Sequence, residues 1–238
     1  MKKFVAATTV LLASAPCFAK VSSTVTLTSE YVWRGISQNI PAVSASTNPP
    51  GNSAGVPSIQ GSIDYATEFG LSFGLFVSNV TPGFGGYEFD QYVAYNKAFG
   101  DFGITGTLYR YGYPANNVAT SYEAIIAGSW KDLKLQLAYM PEYLGTKAAS
   151  YYANLSYAWK LDEKVSIVPA VGYTTFSDEK VALLSNYLDT KVALQYANEG
   201  WTSEIAYIDS DVKLVDAAGL KTDVERNEKF VFSITKTF

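Results

Sequence analysis

The stretch EKFVFSITKTF, residues 228–238, decides the fold that the sequence predicts. Its side chains alternate as they do in a β-strand with one apolar face and one more polar face. One face carries Phe230, Phe232, Ile234 and Phe238, and the other carries Val231, Ser233, Thr235 and Thr237. Such a strand, ending the chain on an aromatic residue, indicates an all-β fold, a transmembrane antiparallel up-and-down β-barrel.

The other end of the chain has the pattern of a secretory signal peptide. Lys2 and Lys3 form a charged end, residues 4–15 are largely apolar, and Cys17 and Ala19 are small residues at the positions that a signal peptidase reads. We therefore expect residues 1–19 to be cleaved off, which leaves residues 20–238 as a single barrel domain. The apolar run is too short to cross a bilayer as a helix, and no later run reaches the roughly 18 residues required.

Composition removes several classes of function. The chain has no histidine, and its one cysteine, Cys17, would leave with the signal, so histidine-dependent hydrolases, disulfides and cysteine or histidine metal sites are excluded. Loss of Lys2 and Lys3 from 18 basic residues leaves 16 against 22 acidic ones, a formal charge of −6. This charge argues against nucleic acid as a partner. We expect no catalytic residue, no metal and no cofactor.

Twelve segments have the length and period of tilted membrane strands, about 9–11 residues each. Their predicted cores are 24–34, 58–68, 71–80, 87–97, 102–111, 121–131, 133–140, 151–160, 165–174, 187–196, 201–210 and 228–238. Short links alternate with longer ones, which include 35–57, 111–120, 141–150, 175–186 and 211–227. This alternation predicts an up-and-down barrel with tight turns on one side, long loops on the other, and both termini on the short-turn side.

Aromatic residues on the apolar phase cluster at both ends of the predicted strands. Near the long loops they are Tyr31, Trp33, Tyr87, Phe89, Tyr122, Tyr139, Tyr151, Tyr173 and Tyr207. Near the short turns they are Tyr65, Phe73, Tyr95, Phe102, Trp130, Trp159, Trp201 and Phe238. Two such girdles are expected at the two interfaces between lipid and water. A soluble β-sandwich or lipocalin-like protein, the alternative fold, would bury its aromatic residues in mid-strand.

A few positions fit this pattern badly. Pro169 lies within a strand, where it removes a ladder hydrogen bond, so we expect a bulge there. Gln91 and Arg110 fall on the lipid-facing phase, and Arg110 is close enough to a strand end to reach water. The phase of the tenth strand is weak at Tyr187.

The predicted inner wall is rich in charge. The residues that we expect to line a pore are Glu30, Arg34, Asp64, Glu88, Asp90, Glu123, Lys134, Lys160, Asp189, Lys191 and Glu204. With Glu68 and Lys131 added, this wall has eight acids and five bases, and the excess of acids predicts a weak preference for cations. Glu88 and Asp90 could also suggest acid–base catalysis or a calcium site, but two carboxylates on a polar wall are expected without either role.

Two functions fit a barrel of this size. The first is passive diffusion of small hydrophilic solutes or ions, because twelve strands lie between a filled and a wide-open lumen. The alternative is a non-conducting structural or adhesion barrel whose lumen is filled by Tyr92, Tyr109, Tyr111 and Tyr152. An enzyme is disfavoured by the missing histidine.

Three segments resemble a known family. They are TSEYVWRGISQ (residues 28–38), PSIQGSIDY (residues 57–65) and GLFVSNV (residues 74–80), which together resemble the TorF-type porin family of Gram-negative bacteria. The departure is the Pro-, Ser- and Asn-rich segment between Gln38 and Val56, which we would expect to be shorter. The resemblance implies a barrel in outer-membrane lipid and no particular solute. The terminal Phe238 is similar to the signal that the barrel-assembly machinery reads.

The first of these segments leaves two readings open. Arg34 could line the mouth of a pore and pair with an acid such as Glu30 or Asp64. Alternatively, Trp33 anchors the lipid boundary and Gly35 ends the strand.

Overall fold

The computed structural model describes residues 20–39, 55–115, 119–223 and 228–238. The predicted signal peptide and most of the segment between Gln38 and Val56 therefore lie outside the described residues. No helix in the described ranges is long and apolar enough to cross a membrane.

The regular structure of the described residues is almost entirely β-strand, apart from the short helical turns Pro82–Phe84, Tyr143–Gly145 and Glu179–Ala182. Its strands are β1 (Lys20–Thr28), β2 (Val32–Trp33), β3 (Ile36–Ser37), β4 (Ser58–Ala66), β5 (Leu71–Asn79), β6 (Tyr87–Phe99), β7 (Phe102–Tyr111), β8 (Ser121–Trp130), β9 (Leu133–Met140), β10 (Ser150–Tyr157), β11 (Trp159–Lys160), β12 (Val165–Phe176), β13 (Tyr187–Asn198), β14 (Trp201–Ser210), β15 (Lys213–Val215), β16 (Lys221–Asp223) and β17 (Lys229–Thr237).

Within the described residues, twelve antiparallel strands close into a barrel, with β10 and β11 together forming one of them. Neighbours along the chain pair in turn, β10 pairs with β12, and β1 pairs with β17, so that the sheet has no free edge. At the closing seam the hydroxyl groups of Thr26 and Thr235 lie 2.8 Å apart inside the wall. The twelve-stranded, up-and-down prediction is confirmed, with both strand termini on the short-turn side.

The last strand has the two faces that its sequence predicts. Phe230, Phe232 and Phe238 are exposed on the outside by 75%, 51% and 69%, whereas Val231 and Thr235 face the interior and are buried. Since exposed apolar surface of this extent is unfavourable in water, this outer face suits hydrocarbon.

The outer face carries aromatic residues at both ends, as predicted. Those exposed near the long loops are Tyr87, Phe89, Tyr122, Tyr139, Tyr151, Tyr173, Tyr207 and Phe230. Those exposed near the short turns are Tyr65, Phe73, Tyr95, Phe99, Phe102, Trp130, Tyr157, Trp159, Tyr196, Trp201 and Phe238. Between them lies a band of Leu, Ile and Val, including Leu108, Ile126 and Leu137, that is exposed on the barrel surface.

The prediction that the first strand runs to Arg34 is wrong. Strand β1 leaves the wall at Thr28, and the chain then turns inward to form a small hairpin from β2 and β3. Arg34 and Gly35 make its turn with φ angles of 49° and 76°, the left-handed geometry of a two-residue hairpin turn. Tyr31 and Trp33 therefore belong to the interior and not to the lipid boundary.

The misfit positions have separate explanations. At Pro169 the ladder is interrupted between β10 and β11, yet Ser156 faces Ala170 and Trp159 faces Ile167 in one unbroken register, so the predicted bulge is wrong. A proline lacks the donor for one ladder bond but needs no inserted residue.

Gln91 and Arg110 are opposite each other on β6 and β7, and Arg110 Nη1 donates to Gln91 Oε1 at 2.7 Å. Tyr187 points inward and is 1% exposed.

Two long loops join at one rim of the barrel. A helical turn, Glu179–Ala182, and the short hairpin of β15 and β16 are linked by a bridge between Leu184 and Leu214. Lys221 Nζ lies 2.7 Å from Glu179 Oε2. Hydrogen bonds from Lys221 and from the backbone of Asn186 lower the pKa of the Glu179 carboxyl, so this link holds at neutral pH and is lost as pH falls through the folded-state pKa.

Candidate functional site

The inward hairpin, residues 30–38, lies across the lumen in its long-loop half. The Tyr31 ring meets Phe76 of β5, and Arg34 reaches Glu123 of β8. On the far side, the backbone carbonyl of Gly35 accepts hydrogen bonds from Lys229 Nζ of β17 at 3.2 Å and Ser210 Oγ of β14 at 3.4 Å. Contacts with strands all round the wall make this hairpin an occluding element within the barrel.

Arg34 is the centre of these contacts. Its Nη2 lies 2.7 Å from Glu123 Oε1, and the two side chains are 6% and 0% exposed. The guanidinium carbon lies 4.3 Å from the centroid of the Trp33 ring and 4.2 Å from that of Tyr152. The Tyr111 hydroxyl donates to the second carboxylate oxygen of Glu123 at 2.8 Å. The charge is thus paired, hydrogen-bonded and stacked, as a buried arginine requires.

Gly35 lets the turn approach the wall. A Cβ added there would lie 2.8 Å from Ser210 Cβ and 2.9 Å from Asp189 Cβ, and the φ of 76° disfavours a side chain. The two residues Arg34-Gly35 therefore combine a charge that anchors the hairpin with a backbone that fits against β13 and β14.

A second anchor forms around Glu88, which is 2% exposed. The hydroxyl of Tyr31 donates to Glu88 Oε1 at 3.1 Å, and that of Tyr113 donates to Oε2 at 2.8 Å. The neighbouring Asp90 accepts from the backbone N–H of Gly112 at 3.1 Å. Glu88 and Asp90 thus hold the hairpin and the loop after β7 against strand β6.

Aromatic rings continue the packing across the lumen. Tyr92, Tyr109 and Tyr111 stack in sequence with centroids 4.6 and 5.3 Å apart. Trp33 then lies between Tyr111 and Tyr143, at 5.9 and 6.2 Å. The alternative prediction was that Tyr92, Tyr109, Tyr111 and Tyr152 fill the lumen. These four side chains do lie inside the lumen in this half of the barrel.

One carboxylate in this region keeps an unused oxygen. Asp189 is 7% exposed, and its Oδ1 accepts from the Tyr152 hydroxyl at 3.3 Å. Its Oδ2 is buried with no hydrogen-bond partner in the described structure. Buried polar atoms are usually partnered, so an unused carboxylate oxygen at this position calls for a ligand or water.

The short-turn half of the lumen is polar and carries its own charges. Glu204 accepts from Lys191 Nζ at 2.6 Å and from Gln195 Nε2 at 2.7 Å. The Asp64 carboxylate accepts from the Tyr92 hydroxyl. Lys134 points inward and is partly exposed, with no ion pair in the described structure.

The structure places the predicted pore residues at four locations. Those brought together around the hairpin are Arg34, Glu88, Asp90, Glu123 and Asp189, while Asp64, Lys134, Lys191 and Glu204 line the short-turn half. Glu30 is buried at the start of the hairpin, next to Gly55. Lys160 lies at the short-turn rim, where it pairs with Asp132.

The predicted partners of Arg34 are wrong, because Glu123, and neither Glu30 nor Asp64, receives its hydrogen bond. Sequence reasoning also missed Tyr31, Tyr113 and Lys229 as parts of this site. The signal that could have found the hairpin is Arg34-Gly35, a left-handed turn pair placed between apolar residues. Among the described residues, no group of three acidic, histidine or cysteine side chains could hold a metal ion.

Solved porins share this architecture. The KdgM porin in complex with disordered oligogalacturonate superposes with a TM-score of 0.53 and 11% identity, covering 92% of this chain and 98% of that one. A second KdgM porin structure gives 0.52 and 13%, covering 91% and 99%, and the NanC porin gives 0.50 and 12%, covering 92% and 99%. At such identities the likeness shows the fold.

The sequence comparisons give a family without a function. A family model described as "Bacterial protein of unknown function (Gcw_chp)" matches residues 13–238. No curated protein matches the sequence.

Proposed function

This chain belongs to the Gcw_chp family of bacterial proteins, and we propose that it is an outer-membrane porin through which small hydrophilic solutes or ions diffuse. The observation that carries the proposal is the contrast between the two faces of the closed barrel. The outside is a band of exposed apolar residues between two aromatic girdles, whereas the inside carries charges in both halves of the lumen. A wall with this contrast suits lipid outside and water inside.

The solved relatives support this reading at the level of fold. The KdgM and NanC proteins are porins, and one KdgM structure holds oligogalacturonate. We carry over the channel role from them and not the solute, since identities of 11–13% do not preserve a binding site. The resemblance to TorF-type porins remains a prediction of the same kind.

The hairpin at residues 30–38 would be the closed gate of this channel. It is held by an ion pair with Glu123, by a hydrogen bond from Tyr31 to Glu88, and by a hydrogen bond that Lys229 donates to the carbonyl of Gly35, so its release requires few specific bonds to break. Conduction follows when hydrogen bonds to water replace these bonds between the hairpin and the wall. The polar passage in the short-turn half of the lumen would then extend through the long-loop half as well.

The charges that face the lumen support a weak preference for cations. The acids are Glu30, Asp64, Glu88, Asp90, Glu123, Asp189 and Glu204, and the bases are Arg34, Lys134, Lys191 and Lys229. Seven acids against four bases leave an excess of negative charge, as the sequence predicted from a slightly different set. Fixed negative charge in a narrow passage concentrates cations.

A second candidate, a non-conducting barrel, is favoured by one observation. The hairpin and the rings of Tyr111, Tyr143 and Tyr152 leave Arg34 and Glu123 only 6% and 0% exposed, which is how a permanent plug would look. Permanent ion pairs stabilise a core little compared with apolar side chains of the same size, which favours a gate over a plug. Enzymatic activity is not part of either candidate, in keeping with a chain that has no histidine.

Single-channel recording in planar bilayers separates the candidates. The refolded wild-type protein should show brief, infrequent conductance steps, and Glu123→Gln, which weakens the anchor of Arg34, should lengthen the openings. Arg110→Ala, which alters an arginine on the outer face, serves as the matched control and should behave as the wild type. Silence from correctly folded wild type and Glu123→Gln alike would refute the channel and support the structural barrel.

We also propose export through a signal peptide, cleavage after Ala19 and insertion by the barrel-assembly machinery. Lys20 is then the first residue of the mature protein as well as the first residue of β1. Intact-mass measurement of protein from the outer-membrane fraction tests this, because retention of residues 1–19 would give a heavier chain.

A further inference from the structure

We propose that the barrel wall contains a receptor for organic cations, which Arg34 fills as a tethered ligand and which free guanidinium or ammonium compounds can occupy in its place. The inference deepens the proposed function, because it names the class of solute that the long-loop half would recognise. Binding of such a cation can nevertheless be tested without a conductance measurement.

The receptor consists of four wall residues, Glu123, Tyr111, Tyr152 and Asp189, hereafter the cation cage. Glu123 supplies a carboxylate oxygen at 2.7 Å from the guanidinium nitrogen. Tyr152 supplies an aromatic face whose centroid lies 4.2 Å from the guanidinium carbon. A carboxylate and an aromatic face together recognise cations through charge-assisted hydrogen bonds and cation–π attraction.

The cage is held together by the wall and does not need the hairpin for its shape. Tyr111 fixes Glu123 through the 2.8 Å hydrogen bond, and the two residues lie on the adjacent strands β7 and β8. Tyr152 reaches Asp189 across Gly172, where an added Cβ would lie 2.3 Å from the tyrosine hydroxyl and 2.4 Å from Asp189 Oδ2. The glycine thus leaves the space through which these two side chains meet. If the hairpin withdrew, Arg34 and Trp33 would leave with it, whereas the four wall residues and the hydrogen bonds between them would stay.

The cage also has more acceptors than Arg34 uses. Asp189 Oδ2 is buried without a hydrogen-bond partner in the described structure. A free guanidinium compound can turn within the cage, unlike a side chain fixed to the hairpin turn, and can direct a further N–H toward that oxygen. Two carboxylates in the lining of one cage would favour positive over neutral or negative solutes.

The test uses full-length protein refolded in detergent micelles, with methylguanidinium as the probe and methylurea as its neutral counterpart. Arg34→Ala empties the cage, so millimolar methylguanidinium should raise its urea unfolding midpoint in a saturable manner and should bind in calorimetry. Methylurea should do neither. The wild type should respond much less, because its own arginine competes at high effective concentration.

Two further variants make the result specific to the cage. In Arg34→Ala/Glu123→Gln the affinity for methylguanidinium should fall about tenfold or more, because the charge-assisted bond is lost. Arg110→Ala also lacks one arginine, but on the outer face, and should show no saturable response to the probe. Equal responses to methylguanidinium and methylurea, or an affinity unaffected by Glu123→Gln, would overturn the proposal.

The proposal can still be tested if Arg34→Ala fails to fold. Arg34→Met retains an apolar stem of similar length and serves as the second variant. If either variant refolds only with methylguanidinium and not with methylurea, that supports the cage. If the probe improves neither the refolding yield nor the stability of either variant, the cage is refuted. Binding without conductance would retain the cage and refute the porin, and conductance without binding would do the reverse.

Discussion

Arg34, in the turn of an inward hairpin, donates from Nη2 to Glu123 Oε1 on the barrel wall at 2.7 Å, and neither side chain is accessible to an appreciable degree. The partners are 89 positions apart in the chain, so the ion pair exists only because the barrel has closed. It ties the N-terminal hairpin to strand β8 on the wall of the barrel.

Removing one partner of this ion pair should be far more harmful than removing both. Glu123→Ala leaves the Arg34 charge buried and unpaired, which should lower the free energy of unfolding by ~3–5 kcal/mol. In Arg34→Leu/Glu123→Leu the loss should be clearly smaller than the sum of the two single changes. Urea unfolding of the refolded protein in lipid vesicles measures both. Strict additivity would show that the pair is not coupled.

The inward charge of Lys134 should oppose the cation preference. Lys134→Gln removes a lumen cation that has no ion-pair partner in the described structure, so the reversal potential in a salt gradient should move toward greater cation selectivity. Lys97→Gln, on the exposed outer face of β6, is the matched control and should have no effect. An anion-selective wild type would contradict the assigned charge excess.

Replacement of Gly74 should be destabilising because the Tyr92 ring lies over it. An added Cβ would be 2.0 Å from Tyr92 Cζ, so Gly74→Ala must displace the ring that reaches Asp64. Such overpacking should lower the free energy of unfolding by ~1–3 kcal/mol. Gly106→Ala is the control, since no atom lies within 4 Å of its added Cβ. Equal stabilities of the two variants in urea unfolding would contradict this packing.

The free-energy cost of an arginine on the outer face should depend on its depth in the bilayer. Arg110 lies at the end of β7 and bonds to Gln91, so Arg110→Leu should change the free energy of unfolding in lipid by no more than ~1 kcal/mol. Ile126→Arg, in the middle of β8, should cost ~2–4 kcal/mol. If both substitutions had the same small effect, the outer face would not be in hydrocarbon.

The terminal aromatic residue should matter for assembly more than for stability. Phe238 is 69% exposed, and its backbone N–H, which any residue would keep, donates to the carbonyl of Ser23 at 2.9 Å. Phe238→Ala should therefore reduce the amount of protein in the outer-membrane fraction while the refolded variant unfolds as the wild type does. Phe230→Ala, on the same face of β17, is the control and should assemble normally.

Much of the fold was predictable because the wall obeys a local rule. In β17 and β1 each side chain faces either lipid or lumen, so alternation in the sequence is enough to place Phe230 outside and Thr26 inside. The same rule failed at Tyr31 and Trp33. Their apolar, alternating pattern continues that of β1, and period two cannot distinguish a lipid boundary from an aromatic core inside the lumen.

The candidate site was predictable in composition and not in arrangement. Glu88, Asp90, Glu123 and Asp189 were assigned to the inner wall from their phase, and all four point inward. Their partners could not be assigned, because a hairpin that leaves the wall has no register that relates it to a strand.

By itself, the sequence determined a closed barrel with an apolar exterior and a charged interior, because strand period and turn length act over a few neighbouring residues. Only the tertiary structure decided that Arg34 lies between Trp33 and Tyr152 and bonds to Glu123. That arrangement depends on which side chains the closed wall brings to the same height, and residues far apart in the chain carry no local sign of it.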